Sequence, residues 1–386
     1  MTRKRTDEAQ AAPTGTSAGR MKQLAAVAKD FAAWKPARSA LERVRAVQTI
    51  FPSLNVATRV GGWPLQRIAV VHGPSNNGKT ALVHGLGLSF LRAGHYYAYV
   101  DAEMTTPIDW VERLMGAEMA GSPAFQALRP TTYEATVDAV RGFVETISKA
   151  RSAGRLPADT SALIAVDSLR KLVPERLREK ILKGSEGTTE KDRRRKSGGV
   201  DGLGGRAAQY KAFLNSAWLD ELVPLMAHGN TTIVIVGREA ENDDPFAEDW
   251  KLTGGKGLEF DSSLIIRVAR EGWTKRGDDV VGERLLCRIR KTKIAGKDNK
   301  VVDCYIHLSN GAMIPEGFDR ARDVIEMARQ CGVVEQKGAW LHVCDTGESW
   351  QGESAAVEAL TKDAGQLRLI EEAVMQIMLI QPEQPQ

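Results

Sequence analysis

Apolar positions follow two different periods along this chain, and the switches between them outline its organisation. Between residues 21 and 50, Leu24, Val27 and Phe31 recur at helical spacing, stop at Pro36, and resume through Leu41, Val44 and Val47. This predicts a small helical module. From about residue 53 short apolar runs take over: Ile68–His72, Tyr96–Val100, Ala162–Val166, Thr232–Val236, Ser263–Val268, Arg284–Ile289 and Val301–His307. Runs of this length, bounded by turn residues, predict strands covered on both faces. Between the second and third, Val137, Val140, Val144 and Ile147 share one helical face, and Thr131 with Glu134 has capping-box spacing. Strands alternating with helices predict an α/β fold with a mostly parallel, twisted sheet. The last strands, with little helix between them, predict an antiparallel flank. Near residue 312 the pattern returns to helices, around Arg320–Gln330 and Ala364–Leu379, with a β-like piece near Trp340–Val343. The expected organisation is a disordered tail over 1–20, a helical N-terminal lobe over 21–52, a core over 53–311 and a small α+β lobe over 312–380.

The 386 residues are 42% apolar and 26% charged, a globular composition. No stretch approaches the roughly 20 apolar residues of a membrane span. The first twenty residues lack an apolar signal region, so a cytoplasmic location without a membrane partner is expected. The four cysteines form no C-x-x-C pair and are expected to be reduced thiols. Net charge is only +4, but residues 175–206 hold ten Lys/Arg against six Asp/Glu, while residues 311–386 hold six against thirteen. The first segment contains the run Arg193, Arg194, Arg195, Lys196. Such a run fits a polyanion partner, or else a solvated face. The stretch 174–206 is also too long for an ordinary connection.

Candidate chemistry begins at Gly73, Pro74, Ser75, Asn76, Asn77, Gly78, Lys79 and Thr80, which match G-x-x-x-x-G-K-S/T in full. A predicted buried strand precedes them and a helix follows, the context this phosphate loop requires. Backbone N–H groups would wrap the phosphates, Lys79 would reach the β and γ oxygens, and Thr80 would ligate Mg²⁺. An apolar strand ending at Asp167 supplies a carboxylate beside the loop that can hold magnesium-bound water. At the end of another strand, Glu103 can orient and deprotonate an attacking water, or it is a solvated loop acid.

Taken together, the segments resemble those of bacterial RecA recombinases over roughly residues 21–380. The carriers are SLNVATRVGGWPLQRIAVVHGPSNNGKTAL (53–82), YVDAE (99–103), ALIAVDSL (162–169), TGGKGLEFDSS (253–263), KTKIAG (291–296) and KGAWLHV with GES (337–354). Six segments in the same order are far more specific than a phosphate loop alone. The resemblance implies a RecA-like ATPase core using ATP and Mg²⁺, with Glu103 catalytic, Trp110 stacked on adenine, and Lys291 and Lys293 reaching a neighbouring subunit's ATP. It implies a homo-oligomeric helical filament on single-stranded DNA that pairs and exchanges strands with double-stranded DNA in recombination and repair. DNA loops are expected near 174–206, with Arg193, Arg194, Arg195, Lys196 and Arg206, and near 239–256, with Phe246, Trp250, Lys251, Gly254, Gly255 and Lys256. A ring-forming helicase or motor on the same fold, and a nucleotide-gated scaffold with little turnover, are the alternative readings.

Three departures from the family pattern stand out. The first loop is enlarged and basic. The second is acidic, carrying Glu239, Glu241, Asp243, Asp244, Glu248 and Asp249. Arg238 occupies the place of the family's glutamine that senses the γ-phosphate; it is expected either to sense that phosphate or to pair with Glu239 or Glu241. A diverged phage or plasmid recombinase would account for these departures.

Overall fold

The structure, a computed structural model, describes residues 44–168, 172–175, 204–241, 250–252, 256–294, 302–311 and 317–379, with Lys22 and Ala26. The chain divides into two compact units at Val44/Arg45. The tail over 1–20, nearly all of 21–43, and Arg193, Arg194, Arg195, Lys196, Phe246, Gly254 and Gly255 lie outside the described residues.

The second unit opens with a departure from expectation. The helical pattern was expected to run through Val47, yet Ala46–Val47 is a strand, β1, paired antiparallel with β2, Trp63–Pro64. Val47 faces Trp63, and both are buried. Tertiary burial of two large side chains outweighs a local helical period too short to nucleate alone.

Among the described residues the central sheet has nine strands: β3 (Ile68–His72), β4 (Tyr96–Asp101), β5 (Phe125–Leu128), β6 (Ala162–Asp167), β7 (Thr231–Val236), β10 (Leu264–Arg276), β11 (Asp279–Thr292), β12 (Val302–Ser309) and β13 (Gly317–Phe318). Their order is β13-β12-β11-β10-β3-β7-β6-β4-β5. From β10 to β5 every pairing is parallel, and from β10 to β13 every pairing is antiparallel. Two further strands, β8 (Glu239–Glu241) and β9 (Trp250–Leu252), form an antiparallel ribbon of their own.

Alternation of side chains explains why the parallel strands read as unbroken apolar runs. Ala69 and Val71 of β3 enter one core with helix Lys79–Arg92, while Ile68 and Val70 enter another with helices Tyr133–Ser152 and Gly204–Gly229. Both faces of each strand are therefore roofed. Helix Tyr133–Ser152 buries Val140, Val144 and Ile147 as expected, but its cap is Thr132, whose side chain accepts from the Ala135 N–H, and not Thr131. Glu134, freed from the capping box, accepts instead from the backbone N–H of Glu175.

Two features were not visible in the apolar pattern. β5 is a short edge strand whose residues are mostly exposed. The β10–β11 hairpin continues past Val268 to a turn at Gly277, and on β10 half-buried and exposed positions alternate once it leaves the sheet's core. Beyond β13, helices Arg320–Gln330, Gly352–Lys362 and Ala364–Leu379 surround a third apolar cluster. Strands β14 (Val334–Lys337), β15 (Trp340–Val343) and β16 (Ser349–Gln351) complete that lobe as an antiparallel sheet. No helix among the described residues is long and apolar enough to cross a membrane.

Candidate nucleotide site

The phosphate loop leaves β3 and closes on the N-terminus of helix Lys79–Arg92, so its backbone N–H groups and the helix dipole converge on one point. Two glycines in it are dictated by space. A Cβ on Gly73 would lie 1.9 Å from the Val268 carbonyl of the adjoining β10. Gly78 sits at φ 76°, and a Cβ there would meet Leu285 at 2.4 Å. Any larger residue would push the loop off the sheet.

Within the loop, Asn77 donates to the Ser75 carbonyl at 2.7 Å, and its Oδ1 accepts from the Arg270 backbone N–H at 2.7 Å. Arg270 also donates to the Asn76 carbonyl at 2.9 Å and to Glu283 at 2.7 Å. Sequence reasoning missed Arg270. It belongs to a strand nearly two hundred residues away, and only the β3–β10 pairing brings it to the loop.

The Lys79 ammonium donates to the Pro74 carbonyl at 2.5 Å. Burial pushes its pKa down, and Asp167 partly offsets this. Thr80 Oγ1 donates to Asp167 Oδ2 at 2.8 Å, and the Tyr99 hydroxyl reaches the same oxygen at 3.3 Å. Asp167 is buried, which raises its pKa against the lowering effect of those two hydrogen bonds. A hydroxyl and a buried carboxylate side by side fit a Mg²⁺ ion whose remaining ligands are phosphate oxygens and water. Among the described residues no group of three His, Cys, Asp or Glu is arranged to hold a metal by itself.

Strands β4 and β6 pair in register, Asp101 opposite Asp167, and the Ala102 and Glu103 N–H groups both donate to the Asp167 carbonyl. Glu103 is thereby held beside Asp167. Its Oε1 accepts from Ser168 Oγ at 3.0 Å and from Arg238 Nη2 at 2.7 Å. Arg238 thus engages Glu103, a partner not among the two alternatives expected for it, the γ-phosphate or the acids Glu239 and Glu241. Glu239 is held by Arg267 through two bonds of 2.7 and 3.2 Å and is nearly inaccessible. One of the acids counted into the second loop is therefore a neutralised, buried group at the end of β8.

Trp110, on helix Ile108–Met115, stands edge-on to the buried His84 at 5.6 Å between centroids. It lines a cavity of about 370 Å³ together with residues 76–81 of the phosphate loop, Arg270 and Trp273. That volume lies within the range of small-molecule sites.

Lys291 and Lys293 donate to backbone carbonyls of Glu259 and Phe260, at the C-terminal end of helix Lys256–Asp261. Burial and the neighbouring Lys293 push the Lys291 pKa down. Trp250 and Lys251 lie on β9, opposite Glu241 and Ala240 on β8. Arg206 and Lys256 fall in the first turns of helices Gly204–Gly229 and Lys256–Asp261.

Among proteins of known identity, RecA from Bdellovibrio bacteriovorus is 27% identical over 320 residues, 82% of this chain and 73% of that protein. RecA from Syntrophus aciditrophicus is 25% identical over 306 residues, 79% of this chain and 76% of its own length. RecA from Haemophilus ducreyi is 24% identical over 343 residues, covering 89% and 80%. The chain is a diverged relative of RecA. No family model matches it. The sheet described above, parallel at its centre and antiparallel at one flank, is accordingly a RecA-like α/β core.

Proposed function

We propose that this chain is a DNA-dependent ATPase that assembles as a helical filament on single-stranded DNA and catalyses pairing and strand exchange with homologous duplex DNA. The observation that carries this reading is the side-by-side placement of Glu103 and Asp167 on adjacent strand ends, with Thr80 on Asp167. It combines a phosphate cradle, a metal-type carboxylate and a general base in the order that hydrolysis of a terminal phosphate requires.

In this reading the phosphate loop binds the β and γ phosphates, and Lys79 exchanges the Pro74 carbonyl for phosphate oxygen. Thr80 and Asp167 would hold a Mg²⁺ ion, which would supply charge neutralisation at those oxygens. Glu103 orients the attacking water and accepts its proton, with Ser168 steadying the carboxylate. Arg238 has two competing partners. Before nucleotide binds it holds Glu103 at 2.7 Å. An arriving γ-phosphate offers it a doubly charged acceptor, and its transfer, completed when DNA binds, would free Glu103 for the water.

Lys291 and Lys293 are proposed to act on the neighbouring subunit's nucleotide. The basic run Arg193, Arg194, Arg195 and Lys196, with Arg206, Phe246, Trp250, Lys251, Gly254, Gly255 and Lys256, is proposed to meet DNA, mostly through phosphate contacts.

The test is phosphate release with and without single-stranded DNA. Wild-type turnover should rise on adding DNA, and Lys79→Ala should lose it while keeping a wild-type thermal melt. DNA-independent turnover would favour a different motor on the same fold. Wild-type turnover in Lys79→Ala would remove the phosphate loop from the mechanism.

A further inference from the structure

Trp273 is an indole that the phosphate motif does not call for. It lies on β10 where the hairpin has left the core, and 52% of its surface is exposed. One ring face is covered by the Arg270 guanidinium, 4.3 Å from the ring centroid. Arg270 is itself tied to the phosphate loop through the Asn76 carbonyl and Asn77 Oδ1, and to β11 through Glu283. The indole is thus referenced to the loop through one residue, whose guanidinium makes two hydrogen bonds and whose backbone N–H makes a third. It lines the same 370 Å³ cavity as Gly78, Lys79, Thr80 and Trp110.

We propose that Trp273 is a second indole contact for the base of the bound nucleotide, in addition to Trp110. The inference rests on the nucleotide-site reading above and extends it to a residue that only the long hairpin delivers. A nucleobase presents a flat π-face, and an indole is the largest aromatic surface a protein can offer it. The cation at the back of the ring fixes the indole before ligand arrives, so little ordering is left to do on binding. The β10–β11 hairpin thereby contributes to the nucleoside end of the cavity, as the loop contributes to the phosphate end.

The experiment measures equilibrium binding of two probes to the full chain: a non-hydrolysable ATP analogue, and inorganic tripolyphosphate, which has no base. Trp273→Ala should weaken the analogue about tenfold, the scale of one lost base–aromatic stack, and leave tripolyphosphate unchanged. Trp273→Phe should recover most of the loss, whereas Trp273→Leu, which keeps apolar area without a π-face, should not. Unchanged analogue affinity in folded Trp273→Ala would overturn the proposal. Equal losses for both probes would also overturn it, by showing that the indole acts only through Arg270 on the phosphate loop. Lys79→Ala separates the two levels. If it leaves both probes bound, the nucleotide site itself is misassigned; if it loses both while Trp273→Ala loses neither, only the base contact falls.

Discussion

At the scale of single residues, the feature that most sets this site apart is an arginine bonded to the expected general base. Arg238 and Glu103 meet at 2.7 Å, and both side chains are partly open to solvent, so the pair is adjustable and not a fixed structural tie. Removing the arginine should release the carboxylate before DNA arrives. We predict that Arg238→Ala raises ATP turnover in the absence of DNA and narrows the ratio between DNA-bound and free rates. Glu103→Gln should bind nucleotide normally and lose hydrolysis by about 10²- to 10⁴-fold. A phosphate-release assay on both variants checks the two together. If Arg238→Ala leaves the ratio as it was, the contact does not restrain the base.

Elements carry a different kind of consequence, seen in helix Lys79–Arg92, which holds the phosphate loop at one end and packs against the sheet along its length. Its inner face includes His84, fully buried among Tyr97, Tyr99, Trp110 and Phe125, with Nδ1 3.1 Å from the Tyr97 hydroxyl. Burial pushes the His84 pKa down to about 3 from 6.5. Between those values the unfolded chain binds a proton that the folded chain refuses, so stability is full above about pH 6.5 and falls as the pH drops towards 3. One such group contributes a slope of about 1.4 kcal/mol per pH unit. His84→Phe, which keeps a ring in the aromatic cluster, should remove that one-proton slope between about pH 6 and pH 4.5 in denaturant titrations. Identical slopes in variant and wild type would mean that the ring accepts its proton inside the fold.

For the whole molecule, the question is whether the site is completed by a second copy. Lys291 and Lys293 come from the end of β11, and their ammonium groups rest on the carbonyls that end helix Lys256–Asp261. Phe260 beside them is 69% exposed. If the lysines act across a subunit boundary, Lys291→Ala should leave nucleotide binding by the dispersed protein intact and abolish DNA-stimulated hydrolysis. Mixing it with Glu103→Gln should then restore part of the activity, because some junctions bring an intact lysine to an intact glutamate. Mixed assemblies that form and stay inactive would place both groups' action within one subunit.

The sequence by itself determined the features that rest on local rules. Short apolar runs bounded by turn residues fit strands roofed on both sides, so β3, β4, β6 and β7 were legible nearly to the residue. The turn between β3 and helix Lys79–Arg92 was legible because Gly73 and Gly78 take positive φ where a Cβ would clash. Tertiary structure decided the rest. Val47 became a strand because Trp63 was there to bury it, and the hairpin beyond Val268 was hidden because half-solvated strands carry polar residues. Glu103, Arg267 and the Asn76 carbonyl, which Arg238, Glu239 and Arg270 engage in turn, lie 135, 28 and 194 positions away along the chain. Charge runs and spacing report which groups are available, but an ion pair forms between groups that the sheet order makes neighbours. That order is set by how nine strands share two cores.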